Sequence, residues 1–167
     1  MALLNILQFP DPRLKKVAEL VEIFDQEIIQ LAKNMLETLY EAQGVGLAAI
    51  QVNVQKRVIV VDASKNQHHP LCLINPELVN KRGTIEWDEG CLSFPGIYAK
   101  VQRAKEVDVR YYDEVGRLKE LSADGLLAVC IQHEIDHLQG ITFFDHLSTL
   151  KQSLLRKKLD KIRRKAL

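Results

Sequence analysis

The stretch "CIQHEIDHLQG", Cys130 to Gly140, decides how this chain is read. It carries His133, then Glu134, then His137 four places after the first histidine, the H-E-x-x-H signature of a metal-dependent hydrolase. Helical residues four apart share a face, so both imidazoles can address one cation while Glu134 reaches a water bound to it. The surrounding sequence predicts a helix, with Asp124 as a candidate cap and Gly140 as a stop. Leu127, Val129, Cys130, Ile131, Ile135 and Leu138 make it apolar nearly all round, as a buried central helix would be. Four ionisable groups buried there without a partner would be costly. That favours a metal site over two core histidines with accidental spacing.

Two histidines do not complete such a site. Thermolysin-like proteases take a third ligand from a downstream Glu, and this sequence has no Glu after Glu134. The metzincin pattern needs a His where Phe143 stands, and Asp145 and His146 are weaker downstream candidates. Cys130 precedes His133 by three residues, yet a cation held between the histidines would sit about 7 Å further along the axis. Helical side chains also lean towards the N-terminus, away from it. Cys130 therefore reads as a small buried residue lining a pocket, and Cys72, in "LCLIN", as core. Cys91 lies in "EGCLSFPG", where Gly90 and Pro95–Gly96 imply irregular backbone. A buried loop thiol would look the same locally, but the missing ligand makes Cys91 the best choice. The expected donors are Cys91, His133 and His137, with water in an open fourth position. A closed structural site would need four protein ligands; a metallopeptidase using the same helix stays an alternative.

The 167 residues, 47% hydrophobic and 27% charged, fit one catalytic domain spanning 1–167. A net charge of +1 gives no overall steering towards DNA or membrane. No apolar run approaches the roughly 18 residues of a transmembrane helix, and the N-terminus lacks the features of a secretory signal. Three irregularly spaced cysteines suit a reducing compartment, so the cytoplasm is expected. Ile28, Leu31, Ala32, Met35, Leu36 and Leu39 predict an N-terminal helix from a cap at Asp25 to a stop at Gly44. "RVIVVD" (57–62) and "PLCLINP" (70–76) read as strands, and the segment through Val107, Val109 and Tyr111 as a hairpin turning near Gly116. "HH" at 68–69 reads as an exposed loop. The expected class is α+β: a central metal-binding helix surrounded by antiparallel β-sheets, with an N-terminal and a C-terminal helix. In the last of these, within 147–167, eight Lys or Arg after Leu150 face one acid, Asp160. Such a pattern serves a solvated face or electrostatic docking to RNA.

Three motifs now coincide. "GVGLAAIQ" (44–51), "EGCLS" (89–93) and "QHEIDHLQG" (132–140) match, in order and without mismatch, the G-x-G-x-A-A-x-Q, E-G-C-L-S and Q-H-E-x-D-H-x-x-G motifs of the peptide deformylases. The chain resembles that family, in its bacterial form, over essentially its whole length. The resemblance implies Cys91, His133 and His137 as ligands, Glu134 as general acid/base, and Gln51 with the backbone N–H of Leu92 as oxyanion hole. It implies that metal-bound water attacks the formyl carbon of N-formylmethionyl peptides and nascent chains, releasing formate. Ferrous iron is the implied physiological metal, with zinc, nickel or cobalt in isolated protein. Ribosome contact through the basic helix would fit such an enzyme. An apolar pocket for methionine is expected from Leu126, Val129 and Cys130, with Val45 and Ile50 nearby. Gly44 and Gly46 permit close approach of an extended substrate, with Gly90 among the substrate-contacting positions. Asp136 and Glu89 are expected to support the ligands or form salt bridges.

Overall fold

In the computed structural model, residues 2–165 are described. The apolar helix of the opening stretch is α2, Gly125–Leu138, and the other elements are arranged about it. Before it come α1 (Gln26–Glu41), β1 (Gly46–Ala48), β2 (Val58–Val61), β3 (Leu71–Arg82), β4 (Ile85–Cys91), β5 (Phe94–Arg103), β6 (Glu106–Tyr112) and β7 (Leu118–Asp124). After it comes α3, Thr149–Lys165. An antiparallel five-stranded sheet runs β1-β2-β3-β6-β7, and β4 pairs only with β5 in a separate hairpin.

The sheet is covered on both faces, which explains the unbroken apolar run of β2. Ile59 and Val61 pack with Ala128, Cys130, Ile131 and Leu138 of α2. Val58 and Val60, on the opposite face, pack with Ile28, Met35 and Leu39 of α1. A strand buried on both faces cannot alternate apolar with polar residues. A third cluster joins the hairpin, through Phe94 and Ile97, to Leu155 and Leu159 of α3. The expected α+β arrangement is therefore present, with α2 between the large sheet and the hairpin.

Several local expectations need adjustment. Asp25 caps α1, accepting from the N–H groups of Glu27 and Ile28, but that helix ends at Glu41 and its left-handed residue is Gln43, not Gly44. Asp124 occupies the cap position of α2 without a side-chain cap bond. The irregular backbone expected in "EGCLSFPG" lies inside a hairpin: the register shifts between Gly90 and Cys91, Cys91 ends β4 paired with Phe94 across a tight turn, and Gly96 has φ +77°. The C-terminal helix forms where expected, although residues 166–167 lie outside the described residues.

Gly140 ends α2 at φ +76°, and a Cβ there would overlap the backbone carbonyl of Lys15. Gly125, at φ +57°, has nothing within 4 Å of the place a Cβ would occupy. Gly140→Ala is expected to destabilise by about 3 kcal/mol and Gly125→Ala by about 1 kcal/mol, read by chemical denaturation at equal metal loading. Equal losses at the two positions would contradict the tight packing of Gly140.

Candidate metal centre and active-site cleft

Helix α2 presents His133 and His137 one turn apart, and the end of β4 brings Cys91 to them. One donor atom from each of these residues lies within 4.8 Å of the others, and Cys91 Sγ is 3.4 Å from His137 Nε2. Donors of a tetrahedral cation at ordinary Cys and His bond lengths stand about 3.3–3.7 Å apart. The set therefore fits a divalent metal with little rearrangement. Asp145 and His146 are not in it: Asp145 accepts from Thr142 N–H, and His146 bonds Asp136.

The partner of His133 fixes its tautomer. Its Nδ1 donates to Glu89 Oε1 at 2.8 Å, which turns Nε2 towards the metal position. Glu89 is itself gripped by Arg103, Nε to Oε2 at 2.6 Å and Nη2 to Oε1 at 2.9 Å. Arg103 continues to Asp136 Oδ2 at 2.6 Å. Burial would raise the Glu89 carboxyl, but its bonds to Arg103 and His133 bring it down to about 2. Burial likewise opposes charge on His133, yet the charge of Glu134 and side-chain bonds to Cys91 and Glu89 hold it well above its ordinary value in metal-free protein. His137 sits well below its ordinary value, through burial and the positive charges of His133 and Arg103. Glu134 is pushed up to about 7, chiefly by burial. Two buried polar atoms in the described residues lack a protein partner, Glu134 Oε1 and His137 Nδ1. One of them belongs to the carboxylate beside the three donors, where a reacting group would be received.

A cavity of about 360 Å³ opens on this centre. Val45, Gly46, Gly90, Leu126, Val129 and Cys130 all line it, as do Gln51, Cys91, Leu92, His133 and Glu134. Ile50 does not; it is buried in the core between α2 and the sheet. Gln51 sits on a short 3₁₀ turn, Ala49–Val52. Its Oε1 accepts from Ala48 N–H at 2.9 Å, so its amide NH₂ points at Ser93 Oγ, 3.1 Å away, and at Cys91 Sγ, 3.6 Å away. Gly46 has no room for a side chain: a Cβ would lie 2.6 Å from both Cys130 Sγ and Glu134 Oε2.

The family model for polypeptide deformylase matches residues 3–153. The chain belongs to the peptide deformylase family. The peptide deformylase of Nitrosococcus oceani is 53% identical over 98% of both chains, and that of Hamiltonella defensa 51% over 98% of this chain and 96% of its own. Among solved structures, the peptide deformylase of Legionella pneumophila superposes with a TM-score of 0.94 at 46% identity, covering 98% of this chain and 96% of that one. The Ehrlichia chaffeensis peptide deformylase in complex with actinonin gives 0.93 at 39%, over 98% and 99%. Cys91, His133 and His137 are a group that could hold one metal ion.

Sequence reasoning passed over Arg103, Ser93 and the cleft residues Trp87, Phe94, Ile97 and Tyr98. Tyr98 lies across the hairpin from Gly90, its ring where a Cβ would come within 2.5 Å, a contact visible only once the register is known. Arg103 falls in phase with Ile97, Ala99 and Val101, which marks it as inward-facing, but its partners are 14 and 33 residues away in sequence and could not be read from it.

Metal analysis is expected to give one divalent ion per chain, and none after His137→Ala. At a free-metal concentration of about 1,000 times Kd, binding adds about 4 kcal/mol of stability, and a chelator removes it. A melting temperature indifferent to chelator would contradict a metal held by these three residues.

Proposed function

We propose that this chain removes the formyl group from N-formylmethionyl peptides and nascent chains, releasing formate. The observation that carries this reading is the buried Glu134, its Oε1 without a protein partner, set beside the Cys91–His133–His137 group at the wall of an apolar cleft. A divalent cation held by those three residues supplies Lewis acidity and makes hydroxide available near neutral pH. Ferrous iron is the ion we assign in the cell, with zinc, nickel or cobalt accepted in isolated protein. The donor set accommodates each of them, and affinity alone favours zinc over iron.

The protein's own groups then do the following. Glu134 accepts the proton from the attacking water and delivers it to the departing amine, so hydrolysis yields formate and a free N-terminus. The Gln51 amide and the Leu92 N–H donate to the oxyanion that develops on the formyl oxygen; a donor of this kind is worth about 3 kcal/mol. The Ala48 N–H supports this role, because it holds the Gln51 carbonyl and leaves the NH₂ end facing the site. Leu126, Val129 and Cys130 receive the methionine side chain. β1 is an edge strand, so its outer backbone groups are available to pair with an extended peptide alongside Val45, Gly46 and Gly90.

Glu134→Gln is expected to keep the metal and lower kcat for formate release by about 10³-fold. Gly46→Ala is expected to lower kcat/KM by at least about 10-fold, because its Cβ displaces Glu134. Undiminished turnover in Glu134→Gln would overturn the proton-transfer role. Cleavage of internal peptide bonds without formate release would favour a metallopeptidase instead.

We further infer that the enzyme works in the bacterial cytoplasm and that the outer face of α3 contacts the ribosome. Lys157, Lys161 and Arg164 are exposed there, while Leu155 and Leu159 are buried against the hairpin. Deleting the helix would therefore strip a core, and charge substitution is the cleaner test. Replacing the three cations by Gln is expected to spare turnover of short formyl peptides and to weaken ribosome association. Association that stays unchanged and insensitive to salt would reject the contact.

A further inference from the structure

The metal donors come from two units that share no backbone ladder. His133 and His137 belong to α2, whereas Cys91 belongs to the β4–β5 hairpin, which is not hydrogen-bonded to the five-stranded sheet. The geometry of the three donors therefore depends on how the hairpin is held against the helix. Apolar packing and the bonds of Gln132 to Ala104 seat it, and four side chains tie it to the ligand positions themselves in a closed ring. His133 on α2 bonds Glu89 on β4, Glu89 bonds Arg103 on β5, and Arg103 returns to Asp136 on α2. His133 and Asp136 are three residues apart and so lie on one side of the helix. Glu89 is two residues from Cys91 on the same strand, so the ring sets the thiol's position as well as the imidazole's.

The ring is nearly dry at Glu89 and Arg103, whose side chains are 3% and 5% exposed, and opens at Asp136, at 24%. At that outer end His146 Nε2 lies 2.8 Å from the same Asp136 Oδ2 that takes Arg103. His146 ends the 3₁₀ turn Phe143–His146, and the Phe143 ring stacks on His133 at 6.0 Å. Asp136, Arg103 and His146 face a second cavity, of about 410 Å³, and none of the three lines the active-site cleft. They touch no substrate position.

We infer that Asp136, steadied by His146, is a positioning residue of the metal centre: it closes the ring that fixes the Cys91 hairpin against the histidine helix. This rests on the reading of the chain as a metal-dependent deformylase and adds to it the group that holds the two ligand-bearing units in register. In Asp136→Asn the bond from Arg103 survives only as a neutral and weaker one, since an amide oxygen still accepts, so the ring is loosened while His133–Glu89 and the Gln132–Ala104 bonds remain. The donors then spend more time apart and the metal leaves faster.

The test uses cobalt-loaded protein, with release followed by transfer to a chromophoric chelator in the absence of substrate. Asp136→Asn is expected to release cobalt about 10-fold faster, in line with the effect of partners outside the ligand set. Its cobalt absorption bands should shift and kcat for formate release should fall. Asp136→Glu, which restores a carboxylate, is expected to recover much of the native release rate. His146→Ala, at the exposed end of the ring, should move release in the same direction by less, and His146→Gln, which keeps an N–H donor, should restore it. A lowered melting temperature with native cobalt bands and native release rate would mean a merely structural role and would overturn the inference. So would native release in both Asp136→Asn and His146→Ala. Because release is read without substrate, native protein that yields no formate would reject the deformylase reading and leave this comparison standing.

Discussion

Helix α2 places His133, Glu134 and His137 at 6%, 3% and 0% exposure, and the rest of the fold answers that constraint. Ionisable groups withdrawn from water must be paired, neutralised or bound to a cation. One histidine is paired by Glu89, and the other is held neutral by burial and by positive neighbours. The remaining charge balance is left to Cys91 and the metal. A sheet alone could bury α2 on one side. The β4–β5 hairpin is needed on the other, because it brings both the third donor and the carboxylate that orients the first.

Two carboxylates lie within this small volume, and their surroundings drive them in opposite directions. Glu89, with a guanidinium on both its oxygens, is lowered to about 2 and stays an anion at any working pH. Glu134, with no such partner, is raised to about 7 in metal-free protein. A permanently charged group can orient a ligand but cannot carry protons; a group near neutrality can do the second. The division of labour between them follows from where Arg103 reaches.

Much of this was legible in sequence because it is local. The H-E-x-x-H spacing is a helical-face property, and α2 is apolar enough to be recognised as buried. Cys91 was found by what the helix lacked rather than by its own surroundings. Its neighbours Glu86, Asp88 and Glu89 hide a strand, since acidic residues are uncommon in sheets; cross-strand partners such as Lys100 opposite Asp88 become visible only once the register is known. β1 is three residues long, too short for periodicity to register. Arg103 stands at the end of an alternating strand, in phase with Ile97, Ala99 and Val101, so the alternation turns it inward without saying what it meets there. Only the packing of hairpin on helix shows that it is the ion pair's centre.

Helix α3 illustrates the same limit from the opposite side. Its charge pattern draws attention to the outer face, yet Leu155 and Leu159 are buried against Phe94 and Ile97, two residues that also line the active-site cleft. Arg156 lies over the rings of Phe9 and Phe144, at 5.6 and 5.5 Å, and Arg163 donates to the Phe9 carbonyl. Some of the basic residues are therefore part of the packing, their stems and cation–π contacts covering apolar surface. The helix has an inner side that supports the cleft wall and an outer side that is exposed and basic.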